Sequence, residues 1–180
     1  YMGRAGCYDG VDAFLDWHPW SYTKANYDSC QAYFSKKYHF KGRTSHGNSP
    51  WHGRSALDAG QLMGHAIDIL REHIYPGNPP DAANTINYTY TSTGPEFPSV
   101  VPDYTTVWVI GSFETTEKML RSLRRVDKCA QAGALATETT VEEEVITITH
   151  HKIPNKVLAE KFYRNLQTIG VPQFTEEEHN

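Results

Sequence analysis

The sequence has no hydrophobic run near the roughly 18 residues that a membrane-spanning helix needs. It has no excess of positive charge either. The net charge is -4, which argues against nucleic acid or an anionic membrane as the main partner. Cysteine is scarce: Cys7, Cys30 and Cys129 lie far apart and form no CxxC. That excludes a disulfide framework and a cysteine metal motif, and predicts free, buried thiols in a reducing, cytoplasmic setting. No charged-then-apolar leader, internal repeat or low-complexity segment is visible. No two histidines stand four apart, so no helical zinc motif is present. The acceptor pattern Asn87-Tyr88-Thr89 falls in a strand-like run and is read as chance.

What is there is an ordinary globular composition, 39% apolar and 21% charged, over 180 residues, enough for a core. The opening "YMGRAGCYDGVDAFLDWHPW" does not look like a natural start and reads as the middle of a longer polypeptide. Residues 1–27 are loop-rich, yet dense in aromatics that need something to pack on. "SCQAYFSKKYHF", 29–40, predicts a strand. Ser55 with Asp58 resembles a capping box that opens a helix. Ala59, Met63, Ala66, Ile67, Leu70 and Ile74 form its apolar face, and the Pro76-to-Pro80 stretch ends it. "ANTINYTYTST" alternates as a strand with one wet face, and "DYTTVWVIGSF" predicts a more central one. Thr115 or Thr116 caps a second helix with Met119, Leu120, Leu123, Val126, Ala130 and Ala134 inward; Arg121, Arg124, Arg125 and Lys128 line its other side. "TVEEEVITIT" is a fourth strand, and a last helix runs from about Asn155 to Ile169, closed by Gly170. The order from 29 to 149 is β-α-β-β-α-β, an α+β class of ferredoxin-like arrangement with two helices on one face of a four-stranded antiparallel sheet.

Among the histidines, two stand in a ligand-like context. His46 lies in "FKGRTSHGNSPWHGRSALDAG", a small-residue loop running into a helix start, where backbone N–H groups can meet an anion. His18, in "DWHPW", follows the short alternation Phe14-Leu15-Asp16-Trp17, so it stands at a strand end, a frequent ligand position. The pattern alone leaves both open between a site and a plain loop. His39 is a half-exposed strand residue, and His150 with His151 reads as a surface pair.

"GRTSHGNSPWHGRSALDA", "GPEFPSVVPDYTTVWV", "DGVDAFLDWHP" and "NKVLAEKFYRNLQTIGVPQFTEEE" together resemble the aminoacylase and glutamate-carboxypeptidase family of metal-dependent amidohydrolases, nearest its p-aminobenzoyl-glutamate hydrolase branch. The resemblance covers nearly the whole chain. It implies a lid and dimerisation domain over 28–150, with 1–27 the end of a first catalytic-domain segment and 151–180 the start of a second. It implies hydrolysis of an amide in an N-acyl amino acid, an aminobenzoyl-glutamate or a small peptide-like substrate, at a two-metal centre of zinc or manganese. His18 matches a metal ligand. His46 matches the lid histidine that reaches the partner subunit's active site in a homodimer and hydrogen-bonds the scissile carbonyl. Substrate contacts fall to Ser99 and Gly94. His52 is implied to be a loop surface residue.

The remaining metal ligands and the catalytic base of the family have no counterpart here, so the chain alone is expected to be inactive. It also departs from the family's pattern: Gly47 stands where Ala is usual, Ser99 where Asn is common, and Gly111, after the third strand, where Arg is common. Two other classes remain open: a non-catalytic dimerisation module, and a small-ligand-binding ferredoxin-like module.

Overall fold

Strand periodicity and well-capped helices set the architecture. The structure, a computed structural model, describes residues 2–74, 76 and 83–179. Asp28–Pro154 forms one compact unit, and Tyr1–Tyr27 with Asn155–Asn180 another.

In the larger unit the elements follow the expected order: β1 (Ala32–Lys41), α1 (Ala56–Arg71), β2 (Thr85–Ser92), β3 (Tyr104–Phe113), α2 (Thr116–Thr137) and β4 (Thr140–Thr149). The strands form one antiparallel sheet in the order β2-β3-β1-β4. The central pair runs in register from Ala32 opposite Phe113 to Lys41 opposite Tyr104. Side chains alternate between faces along a strand. Phe34, Tyr38 and Phe40 of β1 and Val107, Val109 and Phe113 of β3 therefore face the same way, onto Met63 and Ile67 of α1 and Met119 and Val126 of α2. All ten are buried, and each such side chain contributes roughly 1.5–3 kcal/mol. The first helix starts on its expected cap, Ser55 Oγ accepting from the Asp58 N–H at 3.1 Å, and of the two candidates for the second Thr115 is the cap, its Oγ1 accepting from the Lys118 N–H at 3.3 Å.

The same alternation turns one charge inward. Lys36 is 5% exposed. Its Nζ lies 2.6 Å from Asp127 Oδ1 on α2 and 2.6 Å from Glu143 Oε2 on β4. Tyr38 donates its hydroxyl to the same Asp127 oxygen at 2.6 Å. Burial first, then this hydrogen bond, pushes the Tyr38 phenol far above the ordinary tyrosine range. β4 takes up one extra residue here, since Ser35 opposes Thr147 while Lys36 opposes Val145. Glu138, after α2, takes the left-handed conformation with φ 53°, the one non-glycine residue with positive φ among the described residues. For an L-residue that costs roughly 1–2 kcal/mol.

Several expectations need correction. α1 ends at Arg71, and Ile74 packs against the core from beyond it. Gly77 to Pro80, expected to stop the helix, lies outside the described residues. Leu120 is 37% exposed, because it sits at the edge of the buried stripe rather than on it. The thiols are free but not buried: Cys7 and Cys30 are exposed in non-regular segments and Cys129 is half-buried within α2. Gly111 lies inside β3, not after it, on the helix-covered face. A Cβ there would collide with the Phe34 ring, so an arginine has no room in this chain.

In the smaller unit, α3 (Lys156–Ile169) starts at Asn155, whose Oδ1 accepts from the Leu158 N–H at 3.0 Å, and closes at Gly170. Residues 14–17 form no strand, because so short an alternation has no neighbouring strand among the described residues to bond with. The aromatics of this unit are largely exposed, Trp17 at 84%. Among the described residues no helix is long and apolar enough to cross a membrane.

Candidate functional site

The His46 loop joins β1 to α1 and is closed at its base by Arg43 and Arg54. Arg43 N donates to Arg54 O at 2.9 Å, and Arg54 N to Arg43 O at 2.8 Å. One flank is laced to the connection between β2 and β3. Gly42 N donates to Asp103 O, Ala56 N to Pro102 O, Val101 N to Ser45 O and Gly47 N to Ser99 O, all within 2.9 Å. His46 and Val100 form an isolated antiparallel bridge. The loop thus spends its backbone donors on a second loop instead of on water. Gly47 eases this approach: a Cβ would stand 3.1 Å from the Ser99 Cα, C and O atoms, close enough that the Ser99 backbone would have to shift by a few tenths of an ångström. Gly47 and Ser99 are thus in direct contact.

The His46 ring is exposed, and its Nδ1 accepts the Asn48 N–H at 3.2 Å. A nitrogen that accepts carries no proton, so in the neutral ring the proton sits on Nε2. The loop therefore presents an outward N–H donor. His52 is exposed as expected; its Nε2 accepts from Trp51 Nε1 at 3.0 Å.

Ser99 is half-buried beside Gly47, so the structure brings His46 and Ser99 together. Gly94 sits in the same β2–β3 connection with φ 84°, and a Cβ there would meet Pro102 and the Tyr104 carbonyl. That conformation alone accounts for a glycine there. His18 belongs to the other unit. It is exposed, its ring lies edge-on to Trp20 at 5.9 Å, and its Nδ1 lies 2.8 Å from the Pro19 carbonyl, leaving Nε2 as the free donor atom. Among the described residues no group of three or more His, Cys, Asp or Glu is arranged to hold a metal ion. The described residues do not by themselves build a two-metal centre. His150 and His151 are engaged with Thr116: His151 Nδ1 lies 2.8 Å and His150 Nδ1 3.2 Å from its Oγ1.

Two groupings escaped the sequence reading. The Lys36–Asp127–Glu143 cluster was signalled by the inward register of "AYFSKKYHF", which places Lys36 in line with Phe34 and Tyr38. Arg54 with Glu138 was not signalled: the two are far apart in sequence and meet with Nε 2.6 Å from Oε2.

No protein-family model matches the chain. It is 35% identical to one of the subunits of the p-aminobenzoyl-glutamate hydrolase of Escherichia coli (strain K12), over 99% of this chain and 36% of that protein. It is 26% identical to the Xaa-Arg dipeptidase of Mus musculus, over 97% of this chain and 39% of that one. The chain thus spans little more than a third of these relatives. Among solved structures it resembles an aminobenzoyl-glutamate utilization protein from Klebsiella pneumoniae, with a TM-score of 0.61 at 17% identity over 80% of this chain and 35% of that one. Aminopeptidase PepT from Bacillus cereus follows the same fold, with a TM-score of 0.55 at 19% identity over 81% and 38%. The shared fold is the four-stranded sheet with its helices. Motifs, fold and end-to-end likeness to the Escherichia coli hydrolase agree: over its whole length this chain is similar to part of an amidohydrolase of the aminoacylase and glutamate-carboxypeptidase kind.

Proposed function

We propose that this chain is the lid and dimer-forming part of a metal-dependent amidohydrolase, with Asp28–Pro154 as the lid and the flanking residues as catalytic-domain segments. The substrate is an N-acyl amino acid, an aminobenzoyl-glutamate or a small peptide-like amide, and the setting is cytoplasmic. The observation that carries the reading is the Asn48 N–H bond to His46 Nδ1, which leaves Nε2–H facing outward on a braced loop. A fixed donor of this kind strengthens its hydrogen bond as a carbonyl oxygen gains charge, so it lowers the barrier to amide hydrolysis. His46 serves the active site of the partner subunit, with Ser99 and Gly94 at the substrate. Two divalent ions, zinc or manganese, supply the activated water when bound. His18 provides one of their ligands through Nε2, and the others come from parts of such a protein that this chain does not span.

Two copies pair along β2 and α1. No charged residue lies between Thr85 and Ser92, so nothing on that edge repels a second copy. Leu62 and Ile69, 45% and 52% exposed and seven residues apart on one side of α1, supply apolar surface beside it.

The test is His46→Ala in the complete enzyme, assayed on p-aminobenzoyl-glutamate. Loss of an oxyanion donor lowers kcat by about 10²–10³. Metal content stays unchanged. An undiminished kcat removes His46 from the mechanism.

A further inference from the structure

The backbone ladder to residues 99–103 braces one flank of the His46 loop. On the other flank, a depression of about 350 Å³ separates the loop base from the end of α2, lined by Gly53, Arg54 and Ser55 on one side and Ala136 and Thr137 on the other. Arg54 bridges it. Its Nε donates to Glu138 Oε2 at 2.6 Å, and its Nη1 donates to the carbonyls of Gly53 at 2.6 Å and Trp51 at 3.3 Å. The backbone of Arg54 is meanwhile half of the pair that closes the loop. One residue thus ties the loop base, the 51–53 turn and α2 together.

The residue on the helix side is placed unusually. Glu138 follows the last turn of α2 in the left-handed conformation. Its own N–H returns to Leu135 O and the Thr139 N–H to Ala134 O, the bonding that normally ends in glycine. Glutamate has no local preference for that geometry. Its carboxylate is 71% exposed, and exposed ion pairs add little stability. Neither the backbone nor the stability of the fold accounts for a glutamate at this position. The bridge to Arg54 does.

We propose that Glu138, acting through Arg54, is a positioning residue that locks the His46 loop against α2 in the orientation used for catalysis. This rests on the role assigned above to His46. Glu138 touches no substrate; it fixes where the His46 N–H points. Small errors in such a position lower turnover more than affinity, because the donor matters most to the transition state.

The experiment uses the complete enzyme in five forms: wild type, Glu138→Gly, Glu138→Gln, His46→Ala and the double variant Glu138→Gly with His46→Ala. Glycine suits the left-handed turn, so the variant folds and its Tm equals or exceeds that of wild type. Hydrogen exchange of the Arg43 and Arg54 amides, measured with no substrate present, is expected to quicken about threefold. With p-aminobenzoyl-glutamate as substrate, kcat is expected to fall about tenfold while KM stays within twofold. In the His46→Ala background, Glu138→Gly is expected to lower kcat no further, since residues acting as one unit are not additive. Glu138→Gln, which retains an acceptor oxygen, is expected to recover most of the loss. Unchanged exchange at Arg43 and Arg54 overturns the inference whatever the kinetics show. So does an equal loss of kcat with and without His46, which would mark a general structural effect. If His46→Ala leaves kcat intact while exchange still quickens, the role of His46 falls, and the catalytic half of this inference falls with it.

Discussion

Lys36→Met is the perturbation that most directly probes what holds β1, α2 and β4 together. Lysine and methionine have similar length, so methionine fills the space of the stem and leaves little cavity. What disappears is the ammonium, with its two 2.6 Å contacts to Asp127 and Glu143. Stranding a fully buried charge costs about 3–5 kcal/mol. Neither carboxylate here is fully buried, and Asp127 keeps the Tyr38 hydroxyl as a donor. The expected loss is therefore smaller, about 2–3 kcal/mol, near the value of one or two charge-assisted hydrogen bonds. For a unit of this size it corresponds to a fall in Tm of roughly 6–12 °C. Urea and thermal unfolding of the chain measure both, and Asp127→Asn with the double variant closes the cycle. A coupling of about 1 kcal/mol or more is expected for contacting charges. A Lys36→Met protein as stable as wild type would refute the reasoning, because it would show that desolvation of the ammonium already cancels its contacts.

Other expectations concern assembly and pH. Leu62→Arg with Ile69→Arg should convert a dimer into a monomer, read as a halved mass by light scattering; an unchanged dimer would move the interface off α1. Tyr38 gives a signed pH dependence. Its folded pKa is raised, so its contribution is complete below the unfolded tyrosine value of about 10 and is lost as pH climbs from there toward the folded value. Stability should thus fall more steeply above about pH 10 in wild type than in Tyr38→Phe. Tyr88 and Tyr90, raised chiefly by burial, act in the same direction, so the slope in the variant is reduced and not abolished. Parallel slopes would remove Tyr38 as the cause.

The fold was legible where one local signal sufficed. The limits of β4 (Thr140–Thr149) and the caps at Ser55, Thr115 and Asn155 follow from alternation and capping chemistry, which need no distant partner. Reading failed where the outcome depends on a neighbour. The Phe14–Trp17 alternation has no paired strand among the described residues, and the thiols were assigned by residue type without knowing which face each occupied. The site divides the same way. The small residues around His46 were visible as a ligand-like loop, but the tautomer depends on Asn48 and the loop's bracing on Ser99 and Glu138, contacts that only the folded chain creates.

The two edges of the sheet differ in a way that bears on how many copies can assemble. β2 offers an uncharged rim, while β4 carries Glu142, Glu143 and Glu144 in succession and then a bulge at Ile146. A β2 rim set against a β4 rim would repeat without end and grow a filament. The bulge in the β4 rim disfavours that head-to-tail route. In the β2-to-β2 pairing proposed above, both open rims would be used up in one step, so association along this sheet would end at two copies.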